Sequence, residues 1–206
     1  HPLVPLIWEL DRVCGAEAGG YIHWGATTQN ITQTGKLLLV KQFHQVFLEK
    51  ILKLLSVLSD LALETKHYAL PGRTHGQHAV PATFGYKVAV WIDEIIRHFH
   101  RFKNSEQRVF VTMLGGGAGT MASVGMEGLE TQKLMAEELG FTSMSMPART
   151  IGDHLTEYIL NLAMFAATSS KMAREIYTLM KQEFGEVEEP VPDGAVGSST
   201  MPQKRN

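Results

Sequence analysis

The sequence has little of what several common classes of protein require. Its 206 residues include one cysteine, Cys14, so an intramolecular disulfide is impossible and a cysteine-based zinc or iron–sulfur site is nearly so. No stretch reaches the roughly 20 apolar residues that a membrane-spanning helix needs. Lys and Arg number 19 against 21 Asp and Glu, and they form no basic block. We therefore expect no metal, membrane or nucleic-acid partner, and the single cysteine favours a reducing compartment, the cytoplasm.

What remains is the composition of a globular protein. Apolar residues make up 44% of the chain and charged residues 19%, and 206 residues are enough for one substantial core or two small ones. The chain begins at His1 rather than at Met, and it ends at Asn206, a few residues after a Gly-Ser-Ser run. We expect an internal fragment of a longer chain, in which residues 1–206 form one central helical-bundle domain that is incomplete at both ends.

The apolar residues follow a helical period almost throughout. Spacings of three and four predict long helices over 35–67, 84–113 and 152–184, and a shorter one over 124–139 that ends at Gly140. No strand alternation or Asn-Gly hairpin is evident, and 72–81 is predicted as a loop. The expected fold class is therefore all-α, a long antiparallel helical bundle. The apolar faces are too broad for one chain to bury, which predicts partner copies.

Three polar segments interrupt the helical pattern, and the first covers residues 23–30. Its hydroxyl and amide side chains precede the first long helix. Free N–H groups and the helix dipole make such a position suitable for a carboxylate or a phosphate. The alternative is a structural cap, in which Thr27 or Thr28 satisfies the first turn of the helix.

The second polar segment, 72–78, joins two long helices. A glycine follows His75, so the imidazole can approach a ligand closely and transfer protons near neutral pH. A metal site made of His75 and His78 lacks a third ligand at a sensible spacing. A solvated loop histidine is the alternative.

The third polar segment, 197–206, places Ser198 and Ser199 near Lys204, which could supply a nucleophile or a base in a cationic setting. No strand precedes it, so it is not a nucleophile elbow, and the order of a Walker loop is absent. The glycine-rich stretch 115–119 also follows no strand. We interpret it as a hinge or a close helix contact, and no cofactor is predicted.

Taken together, the three segments resemble the fumarase/aspartase superfamily. Residues 197–206 resemble its GSSxMPxKxN signature, 72–77 its histidine loop, and 23–30 its first conserved region. The runs 72–87, 116–120 and 185–190 are most similar to the adenylosuccinate lyase branch, and especially to 3-carboxy-cis,cis-muconate cycloisomerase. The resemblance implies a bundle of very long helices and a homotetramer whose active sites each gather the three segments from three subunits.

The resemblance also implies the reaction. Members abstract a proton next to a carboxylate of a small di- or tricarboxylate and then break a bond at the neighbouring carbon, and the cycloisomerase performs a related ring-forming addition and opening. We favour the cycloisomerase-like activity, with adenylosuccinate lyase or another fumarate-releasing C–N lyase as the alternative. A non-catalytic, crystallin-like bundle is disfavoured because Ser198, His75 and Lys204 are all present.

Site residues follow by matching the family motifs position by position. Ser198 matches the serine base, with Ser199 as the adjacent alternative, and His75 matches the general acid or its helper. The remaining matched residues are expected to bind substrate: His23, Thr27, Thr28, Gln29, Thr74, Gln77, Lys204 and Asn206.

Three departures from the family pattern bear on the substrate rather than on the reaction class. Asn30 stands where the branch often has Asp, which removes a charge. Gln203 stands where the branch often has His. The stretch 149–154 matches neither branch's arginine–aspartate run.

Overall fold

A computed structural model describes residues 3–192, 194–195, 197–201 and 203–204. Helices dominate this part of the chain, which confirms the all-α prediction. None of the described helices is both long and apolar enough to cross a bilayer. The helices are α1 (Val4–Gly19), α2 (Thr28–Glu64), α3 (Phe84–Val109), α4 (Gly128–Leu139) and α5 (Asp153–Leu179), with a 3-10 turn over Gly125–Glu127.

Within the described residues, four short strands accompany the helices. β1 (Ala69–Thr74) and β2 (Gln77–Thr83) form an antiparallel hairpin, and β3 (Val111–Thr112) pairs in parallel with β4 (Thr142–Ser143). The chain divides into two compact units. Unit 1 comprises His1–Lys50 and Arg101–Leu160, and unit 2 comprises Ile51–His100 and Asn161–Asn206.

The core of unit 1 is an aromatic cluster that joins α2, α3 and α5. The ring of Phe47 packs edge-on against that of Phe102, which is fully buried. The Nε2 of buried His44 lies 2.9 Å from the Glu106 carboxylate, and its Nδ1 lies 3.3 Å from the Tyr158 hydroxyl. Residue numbers rise along α2 from His44 to Phe47 while those of their partners in α3 fall from Glu106 to Phe102. This is the antiparallel arrangement that the sequence predicts.

Unit 2 shows the same arrangement between α3 and α5. The contacts run in opposite directions along the two helices, and they are the pairs Lys87 with Glu175, Glu94 with Lys171, and His98 with Thr168. Beneath them, Val88 and Ile95 are completely buried. Apolar side chains two helical turns apart thus form the core, and charged side chains at the edge of the same interface fix the register.

Some helix ends lie where the apolar pattern predicts them, and others differ by several residues. The start of α3 and the end of α4 at Gly140, which adopts a φ of +61°, are as predicted. α2 begins at Thr28 rather than at 35, α5 ends at Leu179 rather than at 184, and α3 stops at Val109. The apolar pattern does not predict α1. Its residues are largely exposed, and its helical geometry is interrupted at Gly15 (φ +76°).

The expected loop over 72–81 is wrong, because these residues belong to the β1–β2 hairpin. Two features hide the strands from a sequence pattern. Most of their residues are exposed or half-buried, so no apolar alternation is required, and Pro71 faces Pro81 across the ladder. The turn is His75-Gly76, with φ values of +49° and +76°, a geometry that usually selects Asn-Gly.

Large apolar side chains remain exposed on the long helices. They are more than half exposed, and they include Leu39, Val57 and Leu63 of α2 and Ile159 and Tyr177 of α5. A single chain thus leaves much of its apolar face uncovered, which agrees with the breadth of the sequence stripes. The homotetramer stays a prediction.

Candidate active site

The hairpin places His75 at its tip, in the first position of the two-residue turn. Its φ of +49° lies in the left-handed region, which histidine tolerates better than most residues but not as well as glycine. Thr74 and Gln77 face each other directly below the turn, and all three side chains belong to exposed residues. The three predicted site residues of this segment are therefore adjacent and open to a ligand.

The hairpin is joined to the segment that follows α5 by one ion pair. The Arg73 guanidinium donates two hydrogen bonds to the Glu186 carboxylate, one of them 3.2 Å between Nη1 and Oε2, and it lies over the Phe184 ring. The bond to Glu186 is the main cause of a raised pKa at Arg73. Both side chains are about five-sixths buried, at 15% and 16% exposure.

The signature segment turns around the Ser198 side chain. The Ser198 Oγ accepts hydrogen bonds from the backbone N–H groups of Thr200 (3.4 Å) and Met201 (3.2 Å). Ser198 is half-buried, whereas Ser199 is exposed and its side chain makes no hydrogen bond within the described residues. Amide donors around a hydroxyl oxygen favour its deprotonated form over its neutral form. This arrangement distinguishes two serines that the sequence leaves equivalent.

A cavity of about 790 Å³ adjoins the signature segment. Its wall includes the residues Lys204, Gln203, Glu186 and Glu188. The volume falls in the range of small-molecule sites. Lys204 is exposed and forms no ion pair with any described side chain, so its charge is available to an anionic ligand.

The first polar segment belongs to unit 1, whereas the other two belong to unit 2. Its backbone is tightly turned, with φ values of +64° at His23 and +72° at Gly25. Any side chain at Gly25 would collide with Val124, since a Cβ there would lie 2.2 Å from a Val124 methyl carbon. The buried Nε2 of His23 has no hydrogen-bond partner among the described residues.

Asn30 makes the cap at the start of α2. Its Oδ1 accepts a 3.0 Å bond from the N–H of Thr27, and its own N–H donates a 2.9 Å bond to the Thr27 carbonyl oxygen. The side-chain bond is one half of a capping box, with Asn in place of Glu. Asn30 is completely buried, and its Nδ2 has no hydrogen-bond partner within the described residues. Because an aspartate oxygen would accept the same bond, the cap does not explain why Asn stands where the family often has Asp.

Gln29 is committed to a protein contact. Its Nε2 donates a 2.8 Å hydrogen bond to the Arg149 carbonyl oxygen, in the stretch 149–154 that departs from the family pattern. The predicted role of Gln29 in binding substrate through this nitrogen would therefore require the bond to break. Asn206, the last predicted site residue, lies outside the described residues.

His154 is a buried polar residue that the motif comparison did not single out. It lies in the first turn of α5 and is 4% exposed, and its Nε2 is 3.2 Å from the Gln33 Nε2. Burial lowers the pKa of His154, and the charge of Asp153 opposes that shift. The only sequence signal for it was the irregularity of 149–154. No group of three or more acidic, His or Cys side chains within the described residues could hold a metal ion.

Backbone strain marks the predicted histidines. Among the described residues, three non-glycine residues have positive φ values, and two of them are His23 and His75. Left-handed backbone at such residues costs free energy and persists where the surrounding structure imposes it, often at functional sites.

The family model described as "Lyase" matches residues 9–206. The chain belongs to the fumarase/aspartase superfamily of lyases.

Individual relatives match over the whole chain. The adenylosuccinate lyase of Methanocaldococcus jannaschii is 41% identical over 208 residues, covering 100% of this chain and 45% of that protein. The N-acetyl-S-(2-succino)cysteine lyase of Dickeya dadantii is 38% identical over 206 residues, again covering 100% of this chain and 45% of that protein. The chain thus spans less than half the length of these curated relatives.

A solved structure supports the same family. The 3-carboxy-cis,cis-muconate lactonizing enzyme from Pseudomonas putida superposes with a TM-score of 0.87 at 36% identity, covering 100% of this chain and 47% of that chain. Both the sequence and the fold therefore place this chain in the branch that the motifs predict.

Proposed function

We propose that the protein containing this chain is a lyase that releases fumarate from a succinyl-bearing substrate. The base removes a proton from the carbon next to one succinyl carboxylate. The electron pair of that C–H bond forms the new C=C bond as the bond from the neighbouring carbon to the leaving nitrogen or sulfur breaks. The leaving atom then takes a proton from the acid, so the products are fumarate and the protonated leaving group.

The observation that carries this proposal is the hydrogen bonding of Ser198 within the family signature. A serine hydroxyl is a weak base at its ordinary pKa and needs activation by its surroundings. The two backbone N–H groups that point at the Ser198 Oγ supply part of that activation, because they stabilise negative charge on oxygen. We therefore assign the base to Ser198 rather than to Ser199.

The other site residues take roles that suit their positions. His75 is exposed at a hairpin tip and can deliver a proton to the leaving group, and Thr74 and Gln77 can bind beside it. Lys204 supplies the positive charge for a substrate carboxylate. In the first segment, we propose that His23, Thr27 and Thr28 contact the second carboxylate near the N-terminus of α2.

The preference for a succinyl substrate comes from the relatives. Two of them, 41% and 38% identical, are named for succinyl compounds with a nitrogen-linked and a sulfur-linked leaving group. The sequence motifs favour the cycloisomerase reaction, and the whole-chain similarity to the muconate lactonizing enzyme keeps it as the second candidate. The two activities share the proton transfer next to a carboxylate and differ in what happens at the neighbouring carbon.

We further propose that the protein is a cytoplasmic homotetramer whose active sites are shared between subunits. Family resemblance supports the shared sites, and the exposed apolar side chains of α2 and α5 support assembly.

A substrate panel on the full-length protein tests the reaction. It includes adenylosuccinate, N-acetyl-S-(2-succino)cysteine, argininosuccinate, aspartate, malate and carboxymuconate, with products identified by mass. Fumarate from a succinyl compound is the expected result. A lactone from carboxymuconate alone would establish the second candidate, and no turnover of any compound by a folded, full-length protein would favour the crystallin-like alternative.

A further inference from the structure

We infer that Arg73 serves the proposed reaction by neutralising Glu186 in the cavity wall, which keeps Lys204 available to a substrate carboxylate. This inference rests on the proposed function, in which Lys204 binds that carboxylate. Arg73 is not part of the described cavity wall, whereas Glu186 and Lys204 both are. Arg73 is therefore a positioning residue that acts through Glu186.

Both oxygens of the Glu186 carboxylate accept a hydrogen bond from Arg73. Each oxygen of Glu186 accepts one hydrogen bond from Arg73, Nη1 to Oε2 at 3.2 Å and Nη2 to Oε1 at a shorter distance. The guanidinium also stacks on the Phe184 ring, with its central carbon 4.7 Å from the ring centre. Two-pronged arginine–carboxylate contacts are among the strongest ion pairs and have a fixed orientation. The negative charge of Glu186 is thus compensated from one direction.

The backbone of each partner is fixed by pairing with another part of the chain. The N–H of Glu186 donates a 3.0 Å bond to the Leu179 carbonyl oxygen at the end of α5. On the hairpin, the ladder shifts register between Gly72 and Arg73, and such irregularities redirect the side chains that follow them. The contact is therefore built into two defined elements and does not depend on flexible side chains alone.

The charges around the cavity show why this pair matters for an anionic ligand. The described wall contains two carboxylates, Glu186 and Glu188, and one cation, Lys204. If Glu186 lost Arg73, its charge would repel a dicarboxylate and would attract Lys204. With Arg73 in place, Lys204 forms no ion pair with any described side chain. The pair thus leaves a cation exposed in a cavity whose other charged wall residues, among those described, are acidic.

Steady-state kinetics on full-length variants separates this role from simple fastening of the hairpin. Arg73→Gln should raise KM by about tenfold and change kcat by less than about threefold, since a ground-state carboxylate contact is lost to competition. Glu186→Gln should leave KM within about threefold of wild type, because the competing charge is gone. The double variant R73Q/E186Q should return KM to within about threefold of wild type. Arg73→Lys, which keeps the charge, should also stay close to wild type.

Calorimetric binding of succinate to the same proteins gives a readout that does not depend on turnover, and it should follow the same order. Equal damage in Arg73→Gln, Glu186→Gln and the double variant would overturn the inference, because a structural fastening is lost equally in all three. If Arg73→Gln does not fold, a normal double variant still supports the inference and an impaired one overturns it. Failure of the proposed function would appear separately, as wild-type protein that turns over no compound of the panel.

Discussion

His75 occupies a backbone position that a hairpin would normally give to another residue. A two-residue turn with positive φ at both positions selects Asn-Gly or Gly-Gly, and here the residues are His75 and Gly76. The imidazole is exposed and is not needed to complete a core. A less favourable turn residue at an open position indicates that its side chain has a use other than folding.

Asparagine at position 75 separates turn geometry from proton transfer. His75→Asn should fold at least as stably as wild type, because Asn is among the residues that best tolerate left-handed backbone. It should lower kcat by about 10²–10⁴-fold if His75 transfers a proton. His75→Ala is the matched variant: it should lose the same activity and also up to about 1 kcal/mol of stability, because alanine tolerates left-handed backbone less well than histidine. Thermal unfolding and kinetics on both proteins measure the two effects, and normal turnover by His75→Asn would remove His75 from the chemistry.

Ser198→Ala tests the assignment of the catalytic base to Ser198. The variant should bind substrate nearly as well as wild type while kcat falls by about 10²–10⁴-fold, because a general base acts mainly in the transition state. Lys204→Ala should weaken binding as well, since a carboxylate contact acts in the ground state too. Ligand binding measured beside steady-state kinetics separates the two results. A larger loss of kcat in Ser199→Ala would move the base by one position, and activity in both serine variants would exclude a serine base.

At the scale of the element, apolar periodicity predicted where the long helices lie but not where α2 begins. The break at 114–119 and the end of α4 at Gly140 could be predicted, because glycine tends to interrupt or end a helix. The early start of α2 was not, since it depends on the side chain of Asn30 meeting a backbone N–H three residues away. The hairpin was equally hidden, because its exposed strands need no apolar alternation. The sequence showed Asn30 only as a departure that bears on the substrate, whereas in the structure its side chain caps the start of α2.

The cap at Asn30 has a measurable cost. Asn30→Ala should destabilise the protein by about 1–2 kcal/mol, because it removes the acceptor of the Thr27 N–H at a buried helix start. Thr32→Ala, at an exposed position two residues further along the same helix, should change stability by less than about 0.5 kcal/mol. Denaturant unfolding of the two variants gives the comparison. Equal stability of Asn30→Ala and wild type would contradict the capping role.

At the scale of the whole molecule, the long helices carry both buried and exposed apolar side chains. Ile51, Val88 and Ile95 in unit 2 and Phe102 in unit 1 are almost completely inaccessible. Other apolar residues on the same helices remain more than half exposed, as Leu39 and Leu63 do at 66% and 65%. Large exposed apolar patches on soluble proteins mark contact sites. The sequence predicted this excess from the breadth of the stripes, but which positions carry it depended on how the helices pack.

Assembly of the full-length protein into a homotetramer is therefore expected, and a charge at Leu39 tests it. Leu39→Glu should leave the fold of one chain intact, because the side chain is 66% exposed there, and it should weaken the assembly by burying an unpaired charge. If active sites are shared between subunits, turnover should fall with the fraction of tetramer and recover at high protein concentration. Gln42→Glu, which places the same charge at another exposed position of α2, is the control. Light scattering beside activity measures both quantities, and a stable monomer that retains full turnover would contradict the shared site as well as the tetramer.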